Sequence, residues 1–175
     1  MPTWLCSATQ TLNRLASIDG IKIAVLGIGN ELNGDDGIGV NIVSRLNKLD
    51  PEHELLEEYK SILILAAGLA PENFTGQLRR FHPDLVIMID AADLGCEPGC
   101  VQWLPWEQTV GVSASTHTLP LSIIAQYLVT EIGCEVYILA IQAQANDFSL
   151  ELSAPVENAA CEVVRVLGAL LFTRV

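Results

Sequence analysis

Short apolar runs alternate with amphipathic stretches along most of the chain, and this alternation is its first informative property. IKIAVLGIG (21–29), SILILAAG (61–68), LVIMIDAAD (85–93) and EVYILAIQAQ (135–144) are runs rich in β-branched residues. Each reads as a strand buried on both faces. VQWLP (101–105) predicts a shorter strand at a sheet edge. Between these runs the apolar period changes from continuous to helical. DDGIGVNIVSRLNKL (35–49) gathers Val40, Ile42, Val43 and Leu46 on one face, with aspartate at its start as a capping signal. Pro71 opens a short helix to about Phe81, and residues 119–132 predict another with Pro120 near its first turn. SAPVENAACEVVRVLGALLF (153–172) predicts a closing helix with a stripe of Val156, Ala159, Ala160, Val163, Val164, Leu167 and Leu170.

Buried strands joined by helices predict an α/β fold: a three-layer α/β/α sandwich with a mostly parallel central sheet, in a single domain. Residues 1–19 form an N-terminal extension, in which Leu5, Leu12 and Leu15 recur at roughly helical intervals, and residues 20–175 form the domain proper. No repeat, low-complexity tract or linker divides the chain.

Composition narrows the range of partners. Of 175 residues, 50% are hydrophobic and 17% charged, which is a globular balance. Nine basic against 21 acidic residues give a net charge of −12. Such a surface repels phosphate backbones and anionic membranes, so neither nucleic acid nor membrane is expected as a partner. No apolar run reaches the roughly 18 residues that span a bilayer, and the first residues lack the basic and apolar regions of a secretory signal. Cys6, Cys96, Cys100, Cys134 and Cys161 are odd in number and irregular in spacing, which points to reduced thiols. The expectation is a cytoplasmic protein, acting as a monomer.

Ligands of such sheets bind beyond the carboxyl ends of the strands. The polar residues there are therefore the candidates. The first strand runs into GIGNELNGDDGIG (27–39). A dinucleotide register starting at Gly27 puts Leu32 where the third glycine belongs, and the loop carries two carboxylates where a pyrophosphate would sit. No glycine-lysine-serine/threonine element is present either. Asp35 and Asp36 at the loop-to-helix junction have a plain structural reading as cap and dipole partners, and one aspartate suffices for that. Asp90 ends the third strand and has its own plain reading as a turn cap. His117, in SASTHTLP, has a plain reading as a loop or cap histidine. Together, two carboxylates and one imidazole also form an O/N set suited to a divalent transition metal with open positions. No HExxH helix occurs. Cys96 and Cys100 have a zinc-loop gap but no second pair to complete it. His53 and His82 lie in polar stretches and read as surface residues. Trp103 and Trp106 read as edge-strand packing. Asn30 and Thr116 are candidates for orienting the ligands.

GIGNELNGDDGIG, GLAPEN (68–73), IDAADLG (89–95), STHTLPLS (115–122) and AIQAQ (140–144) occur in an order that resembles the hydrogenase maturation endopeptidases. The resemblance is to the branch that processes the large subunit of formate-hydrogenlyase-type hydrogenase, hydrogenase 3, and it covers residues 21–172. It implies an endopeptidase that removes a C-terminal extension from a [NiFe]-hydrogenase large-subunit precursor after nickel insertion. It implies that Asp36, Asp90 and His117 are the metal-binding and catalytic residues. The metal would be nickel supplied by the substrate, with another divalent metal possible at the same site. A second reading of the same resemblance is a non-catalytic metal-checkpoint or chaperone module that binds the precursor without cutting it. In two respects the chain departs from the family: residues 1–19 exceed its usual start, and the family has an Asp-Gly-Gly turn after the second strand where this chain has Ala66, Ala67 and Gly68.

Overall fold

The computed structural model describes residues 2–52, 54–57, 61–109, 120–144 and 148–172. Five strands make one sheet among these residues: β1 (Ile23–Ile28), β2 (Ile62–Gly68), β3 (Leu85–Ala92), β4 (Val101–Pro105) and β5 (Glu135–Gln142), in the order β2-β1-β3-β5-β4. All neighbours are parallel except β4, which runs antiparallel to β5 at the edge. The helices are α1 (Thr3–Leu15), α2 (Ile38–Asn47), α3 (Thr75–Phe81), α4 (Leu121–Ile132) and α5 (Ala154–Phe172). The three-layer sandwich expected from the alternation is the one observed.

Two apolar cores, one on each face of the sheet, hold the layers together. Odd positions of β1 and β3 (Ile23, Val25, Leu85, Ile87, Ile89) meet α1, α2 and α5. Even positions (Ala24, Leu26, Ile28, Val86, Met88) meet α3 and α4. Every residue of β1 and β3 is buried, as central strands covered on both faces require. Each fully buried Leu or Ile in these layers contributes roughly 1.5–3 kcal/mol relative to exposure.

The extension forms α1, and it belongs to the core. Trp4, Ala8, Leu12 and Leu15 are buried, whereas Leu5 only lies against the core from outside. Spacing alone favours Leu5; Trp4 displaces it because the stripe 4, 8, 12, 15 faces the sheet. Trp103 on β4 stacks on Tyr137 with ring centroids 5.1 Å apart, and its indole N–H donates to Thr11 Oγ1 of α1 at 3.3 Å. The packing role expected of Trp103 is thus fulfilled by contact with α1. Arg14 adds a two-pronged contact to Glu135 at 2.7 and 2.6 Å.

The stripe of α5 also differs from its sequence pattern. Val166 and Leu171 are buried in place of Val164 and Leu170, which lie half-buried against the core. The last turns of α5 rotate toward α2. Gly168 faces Leu46 and Leu49 there, and a β-carbon on it would stand 3.9 and 3.5 Å from their side chains.

The feature that positions the functional rim is the way α2 leaves β1. The β1–β3 register ends at Gly27 opposite Ile89, while the β3–β5 register continues from Asp90 opposite Ala140 to Ala92 opposite Gln142. β3 therefore overhangs β1, and the chain leaving β1 turns into the step. A 3₁₀ turn, Gly34–Gly37, leads into α2. Gly39, in the first turn of α2, is wedged so tightly that a β-carbon would strike the carbonyl oxygens of Ile28 and Ile89. Gly29 has φ +124°, and a β-carbon there would strike the carbonyl of Asp36. Only glycine permits this approach of backbone to backbone.

Gly39→Ala is expected to destabilise the fold by about 1–3 kcal/mol or more, because the clashing atoms are main-chain carbonyls of two central strands. Gly76→Ala, on an exposed helical position with only Arg80 Nη1 nearby at 3.9 Å, is expected to stabilise by up to about 1 kcal/mol. Urea unfolding of both variants against the parent checks the contrast, and a Gly39 variant as stable as the parent would contradict the wedge.

Candidate active site

The carboxyl-end rim of the sheet gathers three aspartates that are almost wholly buried: Asp35, Asp36 and Asp90 are 1%, 0% and 2% exposed. Charged side chains at such depth require partners, so each has to be accounted for.

Asp35 is a structural clamp. Its Oδ1 accepts from the Ser153 N–H at 2.7 Å. Its Oδ2 accepts from the Gln144 N–H and the Ser153 hydroxyl, each at 2.8 Å. These bonds tie the loop after β1 to the end of β5 and to the residue just before α5. They cross more than a hundred residues of sequence, so no local pattern could have revealed them. The capping role expected at the start of α2 is not what the aspartates do. Gly37 is the N-cap of that helix and no side chain caps it.

Asp36 sits in the same turn, at the positive end of α2. Its Oδ2 accepts from the Asn30 N–H at 3.1 Å. Asn30 contacts Asp36 through its main chain, while its side-chain Oδ1 accepts from the Leu32 N–H at 3.0 Å and stiffens the loop. The loop is tied to the end of β2 and folded closely on itself. Gly29 N–H donates to Gly68 O, Asn33 N–H to Asn30 O and Asp36 N–H to Asn33 O, at 3.0, 3.0 and 3.2 Å.

Asp90 is the first residue of β3 beyond its pairing with β1. By strand alternation it shares a face with Val86, Met88 and Ala92, the face covered by α3 and α4. Gly39 touches the main chain of Ile28 and of Ile89, so the turn carrying Asp36 lies over the step at which Asp90 emerges.

His117 falls in residues 110–119, outside the described residues, as does Thr116. The described chain resumes at Pro120, the N-cap of α4. Gly133 and Cys134 alone join α4 to the start of β5, so the helix runs antiparallel to that strand. Its first residue, Leu121, therefore stands at the rim where the parallel strands end. Among the described residues no group of three His, Cys, Asp or Glu side chains is arranged to hold a metal ion.

The remaining candidates separate cleanly. His82 is an exposed C-cap of α3 with φ 54°, and His53 lies outside the described residues. Trp106 is half-buried against the core beside α4. Cys96 and Cys100 are half-buried neighbours, and burial first, then the nearby Cys100 thiol, push the Cys96 thiol up to about 11. Ala66 is exposed at the end of β2, so this chain has no carboxylate at that turn. No helix among the described residues is long and apolar enough to cross a membrane.

A three-layer α/β sandwich with buried carboxylates on the carboxyl rim is a class shared by many enzymes; the comparisons narrow it. The sequence profile described as hydrogenase maturation protease matches residues 40–169, and the chain belongs to that family of peptidases. A putative hydrogenase maturation protease of Methanocaldococcus jannaschii is 38% identical over 127 residues, covering 73% of this chain and 75% of that one. The hydrogenase 3 maturation protease of Escherichia coli K12 is 27% identical over 136 residues, covering 77% and 81%. Among solved structures, the [NiFe] hydrogenase maturation protease HycI of Thermococcus kodakarensis superimposes with a TM-score of 0.75 at 32% identity, covering 86% of this chain and 92% of that one.

Asp35→Ala is expected to cost on the order of 3 kcal/mol, since it strands two N–H donors and a hydroxyl that a buried carboxylate now satisfies. Thermal and urea unfolding check this. A loss below about 0.5 kcal/mol would mean that the clamp does not hold the loop.

Proposed function

We propose that this protein is a cytoplasmic endopeptidase that removes the C-terminal extension of a [NiFe]-hydrogenase large-subunit precursor once nickel has been inserted. In this reading Asp36, Asp90 and His117 grip the nickel that the substrate carries. The observation that carries the reading is the pair of buried carboxylates in a chain of this family: Asp36 in the turn between β1 and α2, and Asp90 on the part of β3 that extends beyond β1.

The chemistry of the donors supports it. Two carboxylate oxygens and an imidazole nitrogen suit a divalent transition ion, and they leave positions for ligands from another molecule. A carboxylate deep in a low-dielectric rim attracts a cation far more strongly than one in water. Asp36 is held in place by the Asn30 N–H and Asp90 by its place in a central strand, so little ordering remains to be done when the substrate arrives. When bound, the metal supplies polarisation of the scissile carbonyl or activation of a water. The residues position that metal and the peptide beside it. A precursor without nickel offers these side chains nothing to grip, so binding itself acts as the checkpoint for nickel insertion.

Incubation with nickel-loaded precursor should shorten it at its C terminus by mass spectrometry, and nickel-free precursor should stay whole. His117→Ala and Asp90→Asn should each slow the cleavage by at least about 100-fold. Equal cleavage of loaded and nickel-free precursor would contradict the checkpoint. Undiminished cleavage by the His117 variant would remove that residue from the site.

A further inference from the structure

The rim carries apolar surface that the fold does not cover. Phe148 and Leu150 are 86% and 78% exposed, the highest values among the large hydrophobic residues described, and Leu32 and Leu69 are 53% and 47% exposed. These four belong to the loops that follow β5, β1 and β2 at their carboxyl ends.

Phe148 and Leu150 are exposed on a fixed backbone. Between them, Ser149 donates its N–H to Leu32 O at 3.2 Å, and its carbonyl accepts from the Gly34 N–H at 2.8 Å. Its hydroxyl accepts from the Glu151 N–H at 3.0 Å. The segment is thereby pinned to the loop after β1 in a parallel bridge of Ser149 to Asn33. Four residues further on, Asp35 holds Ser153. A fixed, solvent-facing Phe–Leu pair belongs to neither of the two cores, and exposed apolar patches of this kind mark interaction sites.

Charge specifies what covers it. Glu31 and Glu151, both exposed, border the apolar residues, on a chain of net charge −12. The complementary surface is an apolar segment bordered by basic side chains. Position specifies where that segment belongs. Leu32 is in the loop whose Asn30 N–H holds the Asp36 carboxylate, so a segment lying on this strip is delivered next to the candidate site. We propose that Phe148 and Leu150, with Leu32 across from them, form the docking strip for an apolar, basic-flanked segment of the protein substrate. This rests on the reading of the chain as a precursor-processing peptidase, and it assigns to the strip the affinity for the substrate polypeptide that the metal ligands do not supply.

The test compares the full-length protein with the double variant Phe148→Ser/Leu150→Ser and with Leu56→Ser, which is exposed away from the rim. Both side-chain changes lie in solvent, and an unchanged thermal midpoint confirms that the fold is kept. The probe is nickel-loaded large-subunit precursor, read by steady-state cleavage and by biolayer interferometry. The double variant should raise KM and Kd about 10-fold or more with kcat within about 2-fold, and Leu56→Ser should change neither. Glu31→Lys/Glu151→Lys should weaken binding at low salt and lose its effect at high salt. Cleavage by the parent with KM and Kd unchanged in the double variant overturns the docking strip and leaves the peptidase reading intact. So does self-association of the parent that the double variant abolishes while precursor affinity stays the same. Binding without cleavage by the parent, lost in the double variant, keeps the strip and refutes the peptidase reading. A parent that neither binds nor cleaves refutes both.

Discussion

The close approach of α2 to the ends of β1 and β3 is the constraint on which the rim depends. A parallel sheet offers a ligand site only where a crossover leaves its strands, and here the crossover is pressed into a step made by β3 overhanging β1. Gly39 against the carbonyls of Ile28 and Ile89, and Gly29 against the carbonyl of Asp36, allow the chain to enter that step. The result is two carboxylates below the surface, carried by main chain that cannot relax outward without breaking sheet or helix packing. A site held by backbone contact is stiffer than one held by side chains, and stiffness lowers the cost of gripping an incoming ligand.

The adjacent aspartates divide their work according to direction. Asp35 turns toward β5 and α5 and fixes the loop, while Asp36 is buried on the rim with one oxygen steadied by a main-chain N–H. The clamp of Asp35 also holds the segment that carries Phe148 and Leu150. One pair of carboxylates thus links the candidate metal-gripping group to the candidate docking strip.

Much of this is legible in the sequence, because period and burial are tightly coupled in a parallel sandwich. Strands buried on both faces must be continuous apolar runs, and the observed β1, β2, β3 and β5 all lie inside the predicted ones. Asp90, read from that run as the end of the third strand, is instead inside β3, which continues to Ala92 through its pairing with β5. What escapes prediction is non-local. Asp35 reads as a helix cap because its partners, Gln144 and Ser153, lie at the far end of the chain. The choice of Trp4 over Leu5 depends on the face that β4 presents. The burial of Val166 and Leu171 in α5 is set by the neighbouring α2 rather than by the helix's own period. The exposure of Phe148 and Leu150 runs against the ordinary expectation for such residues, and only the pinning of Ser149 explains it. His117 stands as an expectation drawn from family resemblance, since spacing alone cannot join it to the two aspartates.

The central claim is that the step beside β3 makes one ligand set of side chains distant in sequence. A crystal soaked with cadmium, with anomalous scattering recorded, tests it most directly. The predicted result is a single strong peak at the carboxyl rim within coordination distance of Asp36, Asp90 and His117. A peak bound elsewhere, with the two carboxylates outside a shared coordination sphere, would contradict it.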